Sequence, residues 1–195
     1  MTTATDFVPL LAHPLTPSSA VHALAVRLRR TADGSLALRY RLHADLARLR
    51  IPAPQAPERR DGLWAHTCFE LFVAAPDAAA YREYNFSPSG LWAAYAFRGY
   101  RERDDDAWPP APPPIRVRAG AGLLELDARV ALPAELPPGA RSQLGLTAVV
   151  EDADGALSYW ALRHPAARPD FHLREGFALT LGPADGTAPA IEGNP

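Results

Sequence analysis

The side chains best suited to catalysis or ligand binding lie within residues 66–70. His66, Cys68 and Glu70 are spaced two residues apart, and alternate side chains of a strand point to the same face, so all three would share one face. They are side-chain types that bind transition metals. Side chains four residues apart along a strand, however, are separated by about 13 Å, which argues against one ion held by both His66 and Glu70.

The same face could instead hold a small ligand. Glu70, together with Asn85 or Glu83 of a neighbouring strand, would supply hydrogen-bond partners for the hydroxyls of a sugar. An aromatic plane such as Trp64 or Trp160 would stack on the apolar face of its ring. Glu70 could instead have no binding role, as a buried carboxylate paired with an arginine or as a carboxylate exposed to solvent. The sequence leaves these interpretations open.

Trp160 is the strongest candidate for a binding aromatic, because it precedes a polar loop that begins with Arg163 and His164.

The sequence contains no recognisable catalytic motif. His164, Asp170 and His172 match no spacing whose catalytic mechanics can be stated. The chain contains no nucleophile elbow, no phosphate-cradling glycine loop and no dinucleotide fingerprint. Glu70 and Glu83 could be the paired carboxylates of a glycosidase, but only their residue type supports that role. The sequence therefore favours a binding domain over an enzyme.

The composition excludes several classes of function. A formal net charge of −2 argues against nucleic acid as a partner, because phosphate binding requires a basic field. The single Cys excludes an intramolecular disulfide and a multi-cysteine zinc site. No apolar run approaches the roughly 20 residues that span a bilayer, and the first residues lack the basic region of a signal peptide. The sequence thus predicts a soluble, cytoplasmic protein without a membrane partner.

The elements that must position these side chains are short strands. Apolar and polar residues alternate over many runs of five to ten residues, and Asp33-Gly34 predicts a tight hairpin between the first two. Pro residues stand between the runs, as in strands joined by irregular loops. We expect strands at 21–30, 35–42, 66–74, 81–87, 91–98, 115–119, 123–131, 143–150, 156–161 and 176–182.

About ten such strands predict a single all-β domain over residues 1–182, a two-sheet antiparallel β-sandwich or jelly roll. Residues 101–114 are acidic and then proline-rich, so an exposed loop is expected there. The segment 183–195 is predicted to be a C-terminal tail outside the core.

Three segments resemble the DOMON-like proteins of bacteria, which are grouped with family 9 carbohydrate-binding modules. The segments begin with Trp64-Ala-His-Thr-Cys-Phe-Glu-Leu-Phe, Tyr84-Asn-Phe-Ser-Pro-Ser-Gly and Tyr159-Trp-Ala-Leu, and the last continues to Pro169-Asp-Phe-His. The resemblance extends from about residue 20 to 182. Secreted carbohydrate-binding modules carry export signals and are joined to hydrolases, whereas we expect this chain to stand alone without an export signal.

The resemblance implies a β-sandwich that binds sugars or heme. By similarity to modules that clamp a sugar between two Trp, it implies Trp64 and Trp160 as the pair, with Glu70 as a hydrogen-bonding partner. Met–His heme ligation is excluded because the only Met is the initiator. A heme or metal site using His66, His164 or His172, or a protein-interaction module, remains as the alternative.

We therefore expect a non-catalytic domain for a small carbohydrate-like ligand, with no cofactor and no metal. The expected ligand-binding residues are Trp64, Trp160, Glu70, Asn85, Arg163 and His164.

Overall fold

The protein is built almost entirely of antiparallel strands, as its computed structural model shows for residues 6–106, 111–133, 136, 140–182 and 190–191. Over these residues there are thirteen strands. They are β1 (Val8–Ala12), β2 (Val21–Arg30), β3 (Leu36–Ala44), β4 (Cys68–Ala74), β5 (Tyr81–Phe86), β6 (Trp92–Gly99), β7 (Glu102–Arg103), β8 (Ile115–Gly120), β9 (Leu123–Val130), β10 (Ser142–Glu151), β11 (Leu157–Ala161), β12 (Leu179–Leu181) and β13 (Ala190–Ile191). Single 3₁₀ turns occur at Leu46–Arg48, Leu63–Ala65 and Arg174–Gly176.

The strands follow one hydrogen-bonded path in the order β7-β6-β5-β4-β10-β11-β1-β2-β3-β9-β8. β12 pairs with β10 and with β13. The path is continuous because β1 pairs with β2 through Val8, Pro9 and Leu10, and with β11 through Leu11 and Ala12. The prediction of an all-β, antiparallel fold is confirmed.

Residues from both halves of this path pack into a common core. The Tyr40 ring of β3 lies 5.0 Å from the Phe69 ring of β4, and the Tyr40 hydroxyl donates to the Glu70 carbonyl at 2.6 Å. Alternate residues of β2, β3, β9 and β10 fill the same core, as their polar and apolar alternation predicts. Burying each of these leucine and phenylalanine side chains contributes about 1.5–3 kcal/mol.

The hairpin predicted at Asp33-Gly34 is present between β2 and β3. Gly34 has φ of 83°, a conformation that a residue with a side chain rarely adopts, and the Gly34 amide donates to the Thr31 carbonyl at 2.9 Å. Strand pairing then runs from Arg30 opposite Leu36 to Val21 opposite Ala44.

Three local predictions differ from the structure. β1 is not among the predicted strands, and its pairing with β2 includes Pro9 opposite Ala25. β7 forms inside the predicted 101–114 loop, where Phe97 and Gly99 pair with Arg103 and Glu102. The last predicted core strand is shorter than 176–182, because its first residue belongs to a 3₁₀ turn.

Part of the predicted tail carries β13, and its other residues lie outside the described part of the chain, as do residues 107–110 of the acidic and proline-rich loop. No helix within the described residues is long and apolar enough to cross a membrane.

Candidate functional site

The candidate site lies on the face of β4, β5, β6, β10 and β11 that points away from the common core. Strand alternation places Phe69 and Leu71 in the core and Glu70 and Phe72 on the other face, as the sequence predicted. Register then aligns Thr147, Glu70 and Asn85 in one row across three neighbouring strands. The next row contains Phe72, Glu83 and Tyr95.

Two segments cover this face and leave a cavity of about 620 Å³ beneath them. One is the 3₁₀ turn that carries Trp64, and the other is the loop at 168–172. The strands supply Glu70, Phe72, Glu83, Tyr95, Phe97, Val149 and Tyr159, and the loops add Thr16, Trp64, Arg101, Arg103, Arg168, Pro169, Asp170, Phe171 and His172. The volume and the mixture of aromatic walls with a few polar groups suit a small organic ligand.

Glu70 and Glu83 form the polar floor of the cavity. Both are almost fully buried. The Thr147 hydroxyl donates to Glu70 Oε2 at 3.0 Å, and Asn85 Nδ2 donates to Glu83 Oε1 at 2.7 Å. Burial and the neighbouring Glu83 carboxylate raise the pKa of Glu70 to about 8, and burial raises the pKa of Glu83 to about 7. Two carboxyl groups are therefore held in a cavity with few solvent contacts.

Asn85 lies between these carboxyl groups, as the cross-strand partner of Glu70 and two residues after Glu83. Its side chain is completely buried, and its Oδ1 has no hydrogen-bond partner. A buried acceptor without a donor costs about 1–3 kcal/mol, so a donor supplied by a ligand would be favoured here.

The loop over the cavity is fixed by His172 and Asp170. His172 Nδ1 and the Tyr81 hydroxyl form a 2.8 Å hydrogen bond, and His172 Nε2 lies 3.8 Å from Glu83 Oε2. Burial lowers the pKa of His172 to about 4, so its imidazole is neutral at physiological pH. Asp170 accepts hydrogen bonds from the Tyr100 hydroxyl at 2.5 Å and from Arg101 at 3.0 Å.

Aromatic planes form the cavity walls. Trp64 is 46% exposed, and its ring meets the Tyr95 ring edge to face at 5.9 Å. The Tyr95 hydroxyl donates to Asp61 at 3.0 Å, and the guanidinium of Arg103 lies 4.4 Å from the centre of the Tyr95 ring. These contacts hold Tyr95 in place while Trp64 keeps a solvent-accessible surface for stacking.

The structure brings together only some of the residues that the sequence singled out. Trp64 and Glu70 line the cavity, and Asn85 is buried beside its floor. Trp160 is 7% exposed and lies in the common core, where its Nε1 donates to the Ser158 hydroxyl at 3.0 Å. Trp64 and Trp160 therefore stand on opposite faces of the strands and do not form a clamp.

Tyr159, not Trp160, faces the cavity on β11. Strand register decides which member of this adjacent pair faces the cavity, since Tyr159 pairs with Val149, which also lines it. Arg163 and His164 line a separate groove with Leu11 and Leu15, where His164 Nε2 donates to the Leu11 carbonyl at 2.8 Å.

The histidines considered for a metal or heme lie in three different surroundings. His66 precedes β4, is mostly exposed, and its Nδ1 donates to Glu151 Oε2 at 2.7 Å. His164 lies in the separate groove and His172 in the cavity. Among the residues that the structure describes, no three His, Cys, Asp or Glu side chains are grouped to hold a metal ion.

Sequence reasoning missed most of the cavity wall. Tyr95 and Phe97 could have been assigned to it by continuing the alternation of Glu83 and Asn85 onto the next strand. Arg101 and Arg103 come from a segment that the sequence marked only as an exposed loop. No local signal connects that segment to the loop at 168–172.

The comparisons with known proteins concern the fold. No protein-family model and no curated protein matches the sequence. A solved structure of a "putative carbohydrate-binding protein" from Bacteroides uniformis is similar, with a TM-score of 0.64 and 15% sequence identity. The similarity covers 88% of this chain and 84% of that chain. At this identity it shows a shared fold.

Proposed function

We propose that the cavity binds a small carbohydrate-like ligand without catalysing its conversion. The observation that carries this proposal is the combination of an exposed Trp64 plane at the cavity rim with the buried polar floor of Glu70 and Glu83, beside which Asn85 is buried. Sugars require both, because their apolar ring face stacks on aromatic side chains while their hydroxyls need fixed hydrogen-bond partners. The similar fold of the Bacteroides uniformis protein supports the same ligand class.

We further infer a sandwich architecture of the DOMON and family 9 carbohydrate-binding type. The facing of β3 and β4 across one core supports it. Within this proposal Trp64, Glu70 and Asn85 keep the ligand-binding role expected from the sequence. Trp160 is assigned to core packing. Arg163 and His164 would contribute only if a ligand extended into their groove.

Replacing Trp64 tests the proposed function. We expect Trp64→Ala to weaken sugar binding by roughly threefold to tenfold, because an aromatic stacking contact contributes about 0.5–1.5 kcal/mol beyond its buried area. The variant should keep the stability of the wild type, since the side chain is half exposed. Titration calorimetry against a panel of mono- and disaccharides measures the binding, and urea denaturation measures the stability.

Leu11→Ala is the matched control, because Leu11 is similarly exposed and lies in the separate groove. It should leave sugar binding unchanged. The proposal is wrong if the wild type binds no sugar of the panel, or if Trp64→Ala binds as tightly as the wild type.

A further inference from the structure

The floor of the cavity is rich in hydrogen-bond acceptors. Glu70 and Asn85 are cross-strand partners, and Glu83 lies on the same face of β5 as Asn85. Their internal hydrogen bonds occupy Glu70 Oε2 and Glu83 Oε1. In the described part of the chain, Glu70 Oε1 accepts no hydrogen bond from a protein donor. This oxygen is therefore available to a donor from a ligand in the cavity.

Asn85 indicates independently that a ligand donor belongs here. Its Oδ1 is buried and unpartnered, whereas its Nδ2 is held by Glu83. Native proteins satisfy most buried polar atoms, so an orphaned acceptor beside a cavity floor has a physical explanation if a bound molecule donates to it.

The carboxyl groups of the floor also lack a directly bonded basic partner. At the rim, Arg101 is paired with Asp170 at 3.0 Å, and Arg103 is paired with Asp105 at 2.7 Å. Among the described residues no salt bridge joins Glu70 to a basic side chain. The raised pKa of Glu70 reflects this, since burial and Glu83 both disfavour its carboxylate.

We propose that the floor formed by Glu70 and Glu83, with Asn85 beside it, binds the protonated amine of an amine-bearing sugar. This inference rests on the proposed function and names the ligand class of the same cavity. An ammonium group offers three hydrogen-bond donors and one positive charge, whereas a hydroxyl offers one donor and no charge.

Matched pairs of hexoses and 2-amino-2-deoxyhexoses test the inference. Glucose, galactose and mannose are compared with glucosamine, galactosamine and mannosamine by titration calorimetry of the full chain at pH 7. We expect at least one amino sugar to bind roughly tenfold more tightly than its parent hexose, as a hydrogen bond to a charged group implies. N-acetylation of that amino sugar should abolish the gain, because it removes the charge.

Glu70→Gln removes the carboxyl group that a bound ammonium would stabilise in its ionised form, while it keeps an acceptor for Thr147. It should reduce the preference for the amino sugar to about twofold or less. Glu125→Gln is the control, because Glu125 is bound to Arg41 on the opposite half of the molecule. If Glu70→Gln fails to fold, the comparison of sugars on the wild type still decides the question.

The two possible failures are distinguishable. If hexoses bind and no amino sugar binds more tightly than its parent, the amine inference is wrong and the proposed function stands. If none of the six sugars and no disaccharide binds, the proposed function itself fails. Equal gains for the amino sugar and its N-acetyl derivative would also overturn the inference, because the charge would then be irrelevant.

Discussion

At the scale of single residues, the chemistry of this protein is concentrated in two buried carboxyl groups. Glu70 and Glu83 have no arginine within hydrogen-bonding distance among the described side chains, and they are held by the Thr147 hydroxyl and the Asn85 amide instead. A neutral donor stabilises a carboxylate less than a charged one does. The two groups therefore bind protons more tightly than ordinary glutamates, and the folded state should respond to pH.

Between pH 6.5 and 8.5 the folded protein should lose stability as the pH rises. The folded state holds protons on Glu70 and Glu83, with pKa values of about 8 and about 7, whereas the unfolded chain has lost them above the usual value of 4.5. Stability falls wherever the folded state binds more protons. The free energy of unfolding should drop by on the order of 2 kcal/mol, measured by urea denaturation at both pH values.

The pH range of this test starts at 6.5 because, below that pH, the titration of His172 changes the stability in the opposite direction. Burial lowers its pKa to about 4, so His172 contributes stability that is lost as the pH falls from 6.5. Glu70→Gln should flatten the dependence above pH 6.5. Glu125→Gln should not, since Arg41 lowers the pKa of Glu125 and its titration ends well below the window. Equal stability of the wild type at pH 6.5 and 8.5 would contradict the prediction.

At the scale of elements, β10 organises the site because it pairs with β4, β11 and β12. Gly145, at its centre, stands opposite Phe72. The missing side chain at this position lets Phe177 lie directly on the strand, with its ring 5.5 Å from that of Phe72. Phe72 also contacts His172 at 5.4 Å, so this packing connects the strand to the loop that covers the cavity.

Gly145→Ala should therefore destabilise the cover of the cavity. The new Cβ would lie 3.0 Å from Phe177 Cδ1 and 3.2 Å from Phe72 Cβ, so Phe177 must shift. Overpacking of this kind costs about 1–3 kcal/mol. Urea denaturation measures the loss, and hydrogen exchange should become faster at residues 170–177.

Gly120→Ala provides the comparison, because a Cβ there meets nothing within 4 Å and the backbone is extended. It should leave both the stability and the exchange of residues 170–177 close to those of the wild type. If the two variants behave alike, Gly145 has no special packing role.

At the scale of the whole molecule, β1 connects the two halves of the strand path. Three of its residues pair with β2 and two pair with β11. Residues of both halves also share one core, which includes Leu10 of β1. With hydrogen bonds and side chains shared in this way, neither half can unfold without exposing the core of the other.

Unfolding should therefore be a single transition. The described Trp residues, Trp64, Trp92 and Trp160, belong to the half that contains the cavity, whereas far-ultraviolet circular dichroism reports on both halves. We expect the two signals to change at the same urea concentration. Leu10→Ala should lower both midpoints together, at a cost of about 2–5 kcal/mol, because Leu10 is buried.

Leu11, the exposed neighbour of Leu10, supplies the control for this experiment. Leu11→Ala should change the midpoints little, since Leu11 points away from the core. Two separate transitions in the wild type, or a shift of only one signal in Leu10→Ala, would show that the halves unfold independently.

Sequence periodicity determined most of the strands from β2 to β12, but not β1 or β7, and which way many side chains point. Alternation is a local property of the extended backbone, so it places Phe69 and Leu71 in the core and Glu70 on the opposite face without knowledge of neighbouring strands. The hairpin at Gly34 follows from a conformation that glycine adopts readily. Trp64 and Glu70 were identified on such local grounds.

Tertiary structure alone decided which residues meet at the cavity. Tyr159 and Trp160 are adjacent and both aromatic, so alternation separates them but does not say which faces the ligand. Pairing of Tyr159 with Val149 settles that choice and places Trp160 in the core. The physical reason is that strand register and loop packing depend on contacts between residues distant in sequence, which no local pattern encodes.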